Sequence, residues 1–516
     1  MLHRWLFALL VVFMVSACSD DSGAPPPQVP PPGGNDDDEE LVVASLENRA
    51  IGATESILVS FSKPMDGESL VIHGPLADHA ELEWTADDAL TLSPRGYWPP
   101  GKQQLILEGD AADGTALRRF EEDVEIASPF VTGQAASVVI GQSVFTVGTP
   151  RQSEEALYSD ANTLDQPGSG VAYAPEKNLV FIADTQDSRI LAFRGLPEMN
   201  NANANFVIGQ DDFTHSSGAT TQDRMRLPQG ISANGGHLIV GDPDSNRVII
   251  YPDVPEAGPG MASVVLGQPD FTSFETNCGP DGMNHVHGHF VTPSGRLIVA
   301  DGVNNRLLVW NEIPSETRAP DAVIGQSSFN HCAANDANQN AVTDAGEMQG
   351  TSYTLQHPTD LWTDDERLVV VDNYNNRVLI WNSFPEEPMQ PADIVLGQPD
   401  MNSIIANDDD GDGSEDAQPS ARTLNYPWSV TVANGQLFVT DELNNRVLVW
   451  NQWPSESFQP ADEVIGQASF EEALPNRGAA TPDADTLSGP KGVRVIDDRL
   501  VITDTGNSRV LIFEAQ

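Results

Sequence analysis

The chain has 516 residues and a formal net charge of −50, from 26 basic and 76 acidic side chains. A surface of this sign repels phosphate backbones and anionic lipid headgroups. Nucleic acid is therefore a poor partner, and we expect contact with a membrane only through a covalently attached lipid. It favours solubility, divalent cations and basic partners.

The first residues have the pattern of an export signal. An apolar run from Trp5 to Val15 is too short for a comfortable membrane span. Small residues then lead to Cys18, and this arrangement resembles the lipobox of bacterial lipoproteins. The resemblance implies removal of residues 1–17, lipidation of Cys18 and, because Ser19 follows the cysteine, residence in the outer membrane.

Two segments of different character follow the lipobox. Residues 18–40 hold two triple-proline runs and an acidic run, so we expect an extended, self-repelling tether. Residues 41–128 instead contain short β-rich runs between Gly, Pro and Asp turns, which predicts a small all-β sandwich. These runs are Ile57–Phe61, Ala89–Leu92 and Gln104–Leu107.

The sequence of this predicted sandwich resembles the bacterial Ig-like domains of surface proteins. The resemblance lies in Ser60-Phe-Ser-Lys-Pro-Met-Asp66, Leu90-Thr-Leu-Ser-Pro94 and Gly109-Asp-Ala-Ala-Asp-Gly114. It implies that residues 41–128 act as a spacer.

The rest of the chain, residues 136–516, is a repeat with two elements, and a repeat outranks local features. The first element is Val-Ile-Gly-Gln or Val-Leu-Gly-Gln, with its glycine at Gly141, Gly209, Gly267, Gly325, Gly397 and Gly466. The second is an Asp, a few small polar residues, an Arg and an apolar strand, at Asp184/Arg189, Asp242/Arg247, Asp301/Arg306, Asp372/Arg377, Asp441/Arg446 and Asp504/Arg509. Each unit supplies four short strands, as a propeller blade does.

These motifs resemble those of NHL-repeat proteins, and the resemblance implies a six-bladed β-propeller. The sixth unit ends after its third strand, Arg509–Phe513, whereas the first Gly-Gln strand, residues 137–141, stands alone. We therefore predict that this N-terminal strand closes the last blade, since an open array would leave two unpaired edges. The predicted fold is all-β, a six-bladed propeller preceded by a small Ig-like β-sandwich.

The repeated Asp and Arg side chains are expected to be structural, because six symmetric copies suit architecture better than a catalytic site. The two cysteines besides Cys18 are Cys278 and Cys332, in equivalent loops of neighbouring repeats. In an oxidising compartment they can form a disulfide, and the alternative is two independent buried thiols.

The mouth of the central channel is where the repeats differ. Aligned on the proline that starts each innermost strand, the flanking positions bring His285, His287 and His357 together from adjacent blades. Such imidazoles suit zinc, and the alternative is a polar, hydrogen-bonded lining without metal. Peptide α-amidating lyases resemble NHL proteins and hold zinc with channel histidines, but their other active-site residues have no match here.

Three further residues lie near this predicted mouth, Tyr426, Trp428 and Lys491. Aromatic faces stack on sugars or apolar side chains while a lysine donates to polar groups, so these residues are candidates for ligand binding. Buried packing is the alternative for Trp428.

A candidate calcium loop follows the fifth Gly-Gln element. Asp408, Asp410, Asp412 and Gly413 have the spacing of positions 1, 3, 5 and 6 of an EF-hand-like loop. Position 12 of that motif is not the usual Glu, and Asp416 could serve as a ligand instead. The alternative is a mobile acidic loop.

The sequence contains no phosphate-cradling glycine loop, no Gly-x-Ser-x-Gly elbow and no His-Glu-x-x-His. It therefore predicts an envelope lipoprotein with a binding or scaffold role, which recognises a protein, peptide or glycan through the loop face of the propeller. The less favoured alternative is a metal-dependent lyase or hydrolase that uses the three channel-mouth histidines.

Overall fold

The structure, a computed structural model, describes residues 50–148, 163–342 and 349–516. In these residues the regular structure is β apart from one short helix, α1 (Pro75–His79), and several 3-10 turns. The predicted signal segment, the predicted lipidation site Cys18 and the tether predicted over residues 18–40 lie outside the described residues. In the described ranges no helix is long and apolar enough to cross a membrane.

The N-terminal part forms two sheets around one hydrophobic core. Its strands are β1 (Ala50–Ile51), β2 (Ile57–Ser60), β3 (Val71–His73), β4 (Ala80–Ala86), β5 (Ala89–Pro94), β6 (Gly101–Asp110) and β7 (Ala116–Ile126). The sheet orders are β1-β7-β6-β3 and β2-β5-β4. Alternate residues of β2, Ile57 and Val59, are buried against Leu92 and Leu107, as the period of two in a half-buried strand requires.

Residues 138–514 form six four-stranded antiparallel sheets, which we number in chain order by their first strand. The strands are β8 (Val138–Ile140), β9 (Val171–Ala174), β10 (Leu179–Asp184), β11 (Arg189–Arg194), β12 (Phe206–Ile208), β13 (Ile231–Asn234), β14 (His237–Asp242), β15 (Arg247–Tyr251), β16 (Val264–Leu266), β17 (Val286–Val291), β18 (Leu297–Asp301), β19 (Arg306–Trp310), β20 (Ala322–Ile324), β21 (Pro358–Thr363), β22 (Leu368–Asp372), β23 (Arg377–Trp381), β24 (Ile394–Leu396), β25 (Pro427–Ala433), β26 (Gln436–Asp441), β27 (Arg446–Trp450), β28 (Glu463–Ile465), β29 (Pro490–Ile496), β30 (Arg499–Asp504) and β31 (Arg509–Glu514). Sheets one to five each use four consecutive strands, beginning with β9, β13, β17, β21 and β25.

The six sheets are arranged as a closed ring. The first strand of each sheet contacts the first strand of the next, and β29 of the sixth sheet contacts β9 of the first. The sixth sheet has the order β29-β30-β31-β8, so its fourth strand comes from the N-terminal side of the ring. Ile140 lies opposite Val510 and Val138 opposite Ile512. The architecture is that of a β-propeller.

A buried ion pair recurs in every sheet, at the turn between its second and third strands. The Arg Nε donates to the Asp Oδ2 at 2.7 to 2.9 Å in all six copies, and both side chains are fully buried. The other Asp oxygen accepts a backbone N–H from the segment before the first strand, for example that of Asn284 at Asp301. The carboxylate and guanidinium groups of these six pairs therefore stabilise the turns of the sheets. Because they are fully buried, they cannot contact a ligand.

The N-terminal sheets pack directly on the ring. One hydrophobic core contains Tyr97, Trp98 and Phe130 together with Phe438 of β26. The Phe130 ring meets Phe438 edge to face with centroids 5.8 Å apart. The side chain of Asn434 donates to the Tyr97 carbonyl at 3.2 Å. The described residues of both parts accordingly belong to one compact unit.

Candidate functional site

The candidate site lies where the first strands of the third to sixth sheets begin. In these four strands the pairing with the second strand shifts register just after the first residue. Because of this shift, the regular pairing with the second strand leaves out His287, Thr359, Trp428 and Lys491. A local break of this kind re-aims side chains and is common beside functional sites.

The residues just before these strands are held by links from the preceding sheet. His285, His357 and Tyr426 all have φ near +55°, a conformation that needs support in a residue with a side chain. Each backbone N–H donates to an asparagine Oδ1 of the preceding sheet at 2.8 to 2.9 Å, that of Asn246, Asn305 or Asn376. The neighbouring sheet therefore fixes each mouth residue in place.

The structure brings the three predicted histidines together. The His287 and His357 Nε2 atoms are 3.3 Å apart, and the His285 and His287 ring centroids are 4.8 Å apart. His287 Nδ1 also lies 3.3 Å from Gln229 Oε1. With that oxygen as acceptor, Nδ1 of His287 carries the proton and its Nε2 accepts from His357. This assignment makes a chain of hydrogen bonds across the mouth.

These imidazoles are neutral at physiological pH. Burial is the main cause, and it lowers the pKa of His357 to about 4 and that of His287 well below its ordinary value. The neighbouring imidazoles and the Lys491 ammonium act in the same direction. The pKa of the half-buried His285 is lowered by burial as well. Neutral imidazole is the form that binds metals.

The geometry for a shared metal ion is less complete. In the described residues, ligand atoms from three such side chains lie within 4.8 Å of one another only at Asp408, Asp410 and Asp412. The three imidazoles would have to move closer, and the His287–His357 hydrogen bond would have to break. Zinc binding at the mouth remains a prediction.

His289 does not join the mouth, although it is two residues beyond His287. The register shift in β17 interrupts the alternation that would place both side chains on one face. Instead His289 is buried and its Nε2 donates to the Ile239 carbonyl of the second sheet at 3.0 Å. Burial lowers its pKa to about 4.

Trp428, Lys491 and Tyr426 surround the histidines as expected from their positions in the repeat. The Lys491 ammonium lies 3.8 Å from the centroid of the Trp428 ring, within cation–π distance. It is also 3.7 Å from a carboxylate oxygen of Glu442. The Trp428 ring is 9 % exposed and meets His287 edge to face, whereas Tyr426 is 36 % exposed. Trp428 therefore packs as part of the floor and Tyr426 is open to a ligand.

The sequence reasoning missed Tyr374. Its ring is stacked on His357 with centroids 4.2 Å apart, it lies 5.4 Å from the Tyr426 ring, and it is 43 % exposed. Tyr374 lies between Asp372 and Arg377 of the repeat motif, in a stretch of mostly small polar residues. A comparison of that position across the six repeats would have found it, and the adjacent position in the fifth repeat would have given Glu442.

The candidate calcium loop is folded around one buried carboxylate. Asp408 is 2 % exposed, and its two oxygens accept the backbone N–H groups of Asp412 and Gly413 at 3.0 Å. Asp410 and Asp412 converge on it, and Asp416 accepts the N–H of Asp409 instead. Three of the four predicted calcium ligands, Asp408, Asp410 and Asp412, therefore lie close together.

The two cysteines lie in the loops on either side of the third sheet. The sulfur atoms of Cys278 and Cys332 are bonded, and their Cα atoms are 6.2 Å apart. The bond connects the segment before β17 to the segment after β20 and so restrains two loops on the mouth side of that sheet.

Comparisons with known proteins agree with a propeller. The NHL repeat family matches residues 424–450, which include the start of the fifth sheet and its Asp–Arg turn. No curated protein matches the chain in sequence. The topology and this match together place the chain in the class of β-propeller proteins.

Several solved structures are similar over most of their length. An auxiliary nutrient binding protein from Bacteroides ovatus has 10 % identity and a TM-score of 0.38, with 92 % of this chain and 98 % of that chain covered. One from Bacteroides thetaiotaomicron has 9 % identity and a TM-score of 0.39, covering 93 % and 99 %. A PQQ-bound aldose sugar dehydrogenase from Streptomyces coelicolor has 16 % identity and a TM-score of 0.37, covering 69 % and 96 %.

Proposed function

We propose that the chain is an outer-membrane lipoprotein that binds a protein, peptide or glycan through the loop face of its propeller. In this proposal the six sheets are the six blades of an NHL-type propeller, and residues 41–128 are an Ig-like domain. Cys18 carries the lipid, and residues 18–40 hold the folded part away from the membrane.

The observation that carries the proposal is an asymmetry at the mouth. The six sheets repeat the same buried ion pair, so differences between them are not needed for the ring itself. At the mouth, however, two exposed tyrosines, Tyr374 and Tyr426, lie beside the Lys491–Glu442 pair. Exposed aromatic faces next to charged hydrogen-bonding groups are the chemistry of ligand recognition.

The proposal is tested with purified full-length protein, defined peptide and glycan arrays, and calorimetry on whatever binds. We expect Tyr426→Ala and Tyr374→Ala each to weaken binding by about tenfold or more, since exposed aromatic anchors dominate binding energy. Tyr173→Ala, in the first strand of the first sheet, is the matched control and should leave binding unchanged. Binding that survives in both mouth variants would place the site elsewhere.

The second candidate function is a metal-dependent lyase or hydrolase with zinc at His285, His287 and His357. The observation that favours it is the cluster of neutral imidazoles at the mouth. Elemental analysis of protein purified without chelators decides the question. Stoichiometric zinc that disappears in a His285→Ala, His357→Ala double variant supports the enzyme, and absence of any bound transition metal counts against it.

Calcium at Asp408, Asp410, Asp412 and Asp416 is proposed as a structural ion. Three convergent carboxylates repel one another, and a hard divalent cation would relieve that repulsion. We expect millimolar calcium to raise the melting temperature of the wild type and not that of Asp412→Asn. An equal response of both proteins, or none, would contradict this assignment.

A further inference from the structure

A second feature of the loop face is an arc of exposed apolar side chains. It occupies the second residue after the Asp in the Asp–Arg turn of three consecutive sheets, the third, fourth and fifth. These residues are Val303, Tyr374 and Leu443, with exposed fractions of 43 %, 43 % and 50 %. We call them the apolar arc.

The three turns that carry the apolar arc share a backbone hydrogen bond with the turns of the first and sixth sheets. The N–H groups of Val303, Tyr374 and Leu443 donate to the carbonyl of the residue that lies just before the mouth position, at 3.1 to 3.2 Å. The corresponding N–H groups of the first and sixth sheets, Gln186 and Gly506, make the same bond. Only the side chain differs, so the turn itself does not require an apolar residue.

The arc is continuous with the candidate site. The first strands of the third, fourth and fifth sheets contact one another in order, and the turn that carries Val303 contacts β21 of the next sheet. Tyr374 also stacks on His357 and contacts Tyr426. A single exposed apolar residue is ordinary, but three at equivalent positions of adjacent sheets, one of them in contact with the mouth, indicate an interaction surface.

The chemistry of the arc favours a polypeptide over a sugar. Val303 and Leu443 are branched aliphatic side chains, which pack against other apolar side chains and offer no flat face on which a sugar ring could stack. The corresponding position of the second sheet is the exposed Asp244, whereas Glu442, beside Leu443, is already paired with Lys491. Together with the net charge of −50, the Asp244 carboxylate makes the surroundings of the arc attractive to cations.

We propose that the apolar arc binds a polypeptide segment in which apolar side chains are flanked by lysine or arginine. The apolar side chains would pack on Val303, Tyr374 and Leu443, while the basic residues face the acidic surface around them. This inference rests on the proposed binding function and specifies its partner class.

The test uses a displayed random-peptide library and a glycan array with purified full-length protein. We expect the selected peptides to combine leucine, phenylalanine or tyrosine with lysine or arginine. A Val303→Ser, Leu443→Ser double variant should bind them about tenfold more weakly or worse, because burial of both side chains is lost. Gln186→Ser, at the same position of the first sheet, is the matched control and should bind as the wild type does.

The outcomes separate this inference from the proposed function. Selected peptides that are acidic or lack apolar residues, or that bind the double variant as well as the wild type, would overturn the inference. Glycans that bind the wild type and not Tyr426→Ala would also overturn it and leave the mouth as a binding site. Failure of both arrays would remove both proposals. Unchanged melting temperatures of the variants confirm that they remain folded.

Discussion

At the scale of single residues, the buried His289 shows how burial sets the charge of an imidazole. His289 is 1 % exposed and makes one hydrogen bond, from Nε2 to the Ile239 carbonyl. A proton on Nδ1 would place an uncompensated charge in the interior, and the pKa is therefore lowered from 6.5 to about 4. The unfolded chain, in contrast, protonates this ring near its ordinary pKa.

This difference predicts a pH-dependent stability. Between about pH 6.5 and pH 4 the unfolded chain binds more protons at His289 than the folded chain, so the free energy of unfolding falls as the pH falls through this range. At roughly 1.4 kcal/mol per pKa unit, the shift corresponds to about 3 kcal/mol. His289→Gln, which keeps a donor for Ile239, should be less sensitive to pH, as measured by urea denaturation at pH 7 and pH 4. Parallel curves for the two proteins would refute the assignment.

The sequence was sufficient to predict the role of some residues and insufficient for others, and the reasons are physical. A side chain that recurs in every repeat, such as Asp301 or Arg306, must serve what the repeats share, and both are buried in the ring. Tyr374 occupies a position where the repeats vary, and its role depends on a stack with His357 from the segment before the same sheet. Such a contact depends on the path of the backbone at the mouth, which hydrophobic periodicity does not encode.

At the scale of elements, β8 is the strand that completes the sixth sheet and thereby closes the ring. It is the fourth strand of the sixth sheet, and its three residues are buried. Without it, the long edge of β31 would be unpaired and exposed, which is a known hazard of sheets. The sequence allowed this position to be anticipated because the sixth repeat lacks a Gly-Gln strand at its end.

A substitution within β8 should therefore destabilise the whole ring. Val139 is fully buried, and Val139→Asp would place a carboxylate without a partner in the core. We expect a loss of more than about 3 kcal/mol in the free energy of unfolding. Val144→Asp is the matched control, since Val144 is 46 % exposed and lies beyond the end of the strand. If Val139→Asp lowered the free energy of unfolding as little as Val144→Asp does, β8 would not be required for the stability of the ring.

The register shifts at the start of the first strands could not be anticipated from the sequence. A regular strand would place His285, His287 and His289 on one face. The shift in β17 separates His289 from the other two. Short-range strand patterns predict which residues are extended and leave such local breaks undetermined.

At the scale of the whole molecule, the N-terminal sheets and the ring share one core. A resemblance to Ig-like domains implied a spacer, yet Phe130 contacts both Tyr97 and Phe438, with ring centroids 5.6 and 5.8 Å apart. The sequence gives no means to tell whether such apolar side chains fill their own domain or an interface, since both are simply buried. The structure resolves this in favour of one compact unit that includes the described residues of both parts.

The shared core predicts cooperative unfolding. We expect scanning calorimetry of the wild type to give a single transition for the two parts. Phe130→Ala removes both ring contacts, costs about 3–5 kcal/mol and should lower the melting temperature or split the transition. Phe274→Ala, which truncates a ring that is 46 % exposed, is the control and should leave the trace unchanged. Two separate transitions in the wild type would mean that the interface contributes little.

The composition of the sixth sheet has a consequence for biogenesis. Its strands β29 to β31 come late in the repeat and its fourth strand, β8, comes first, so the toroid stays incomplete until β31 has been synthesised. A product that ends before β29 would contain five intact sheets. The apolar faces of the first and fifth sheets would then be exposed on either side of the gap. Such products would expose apolar surface to proteases and chaperones, so the pairing of β31 with β8 acts as a checkpoint for quality control.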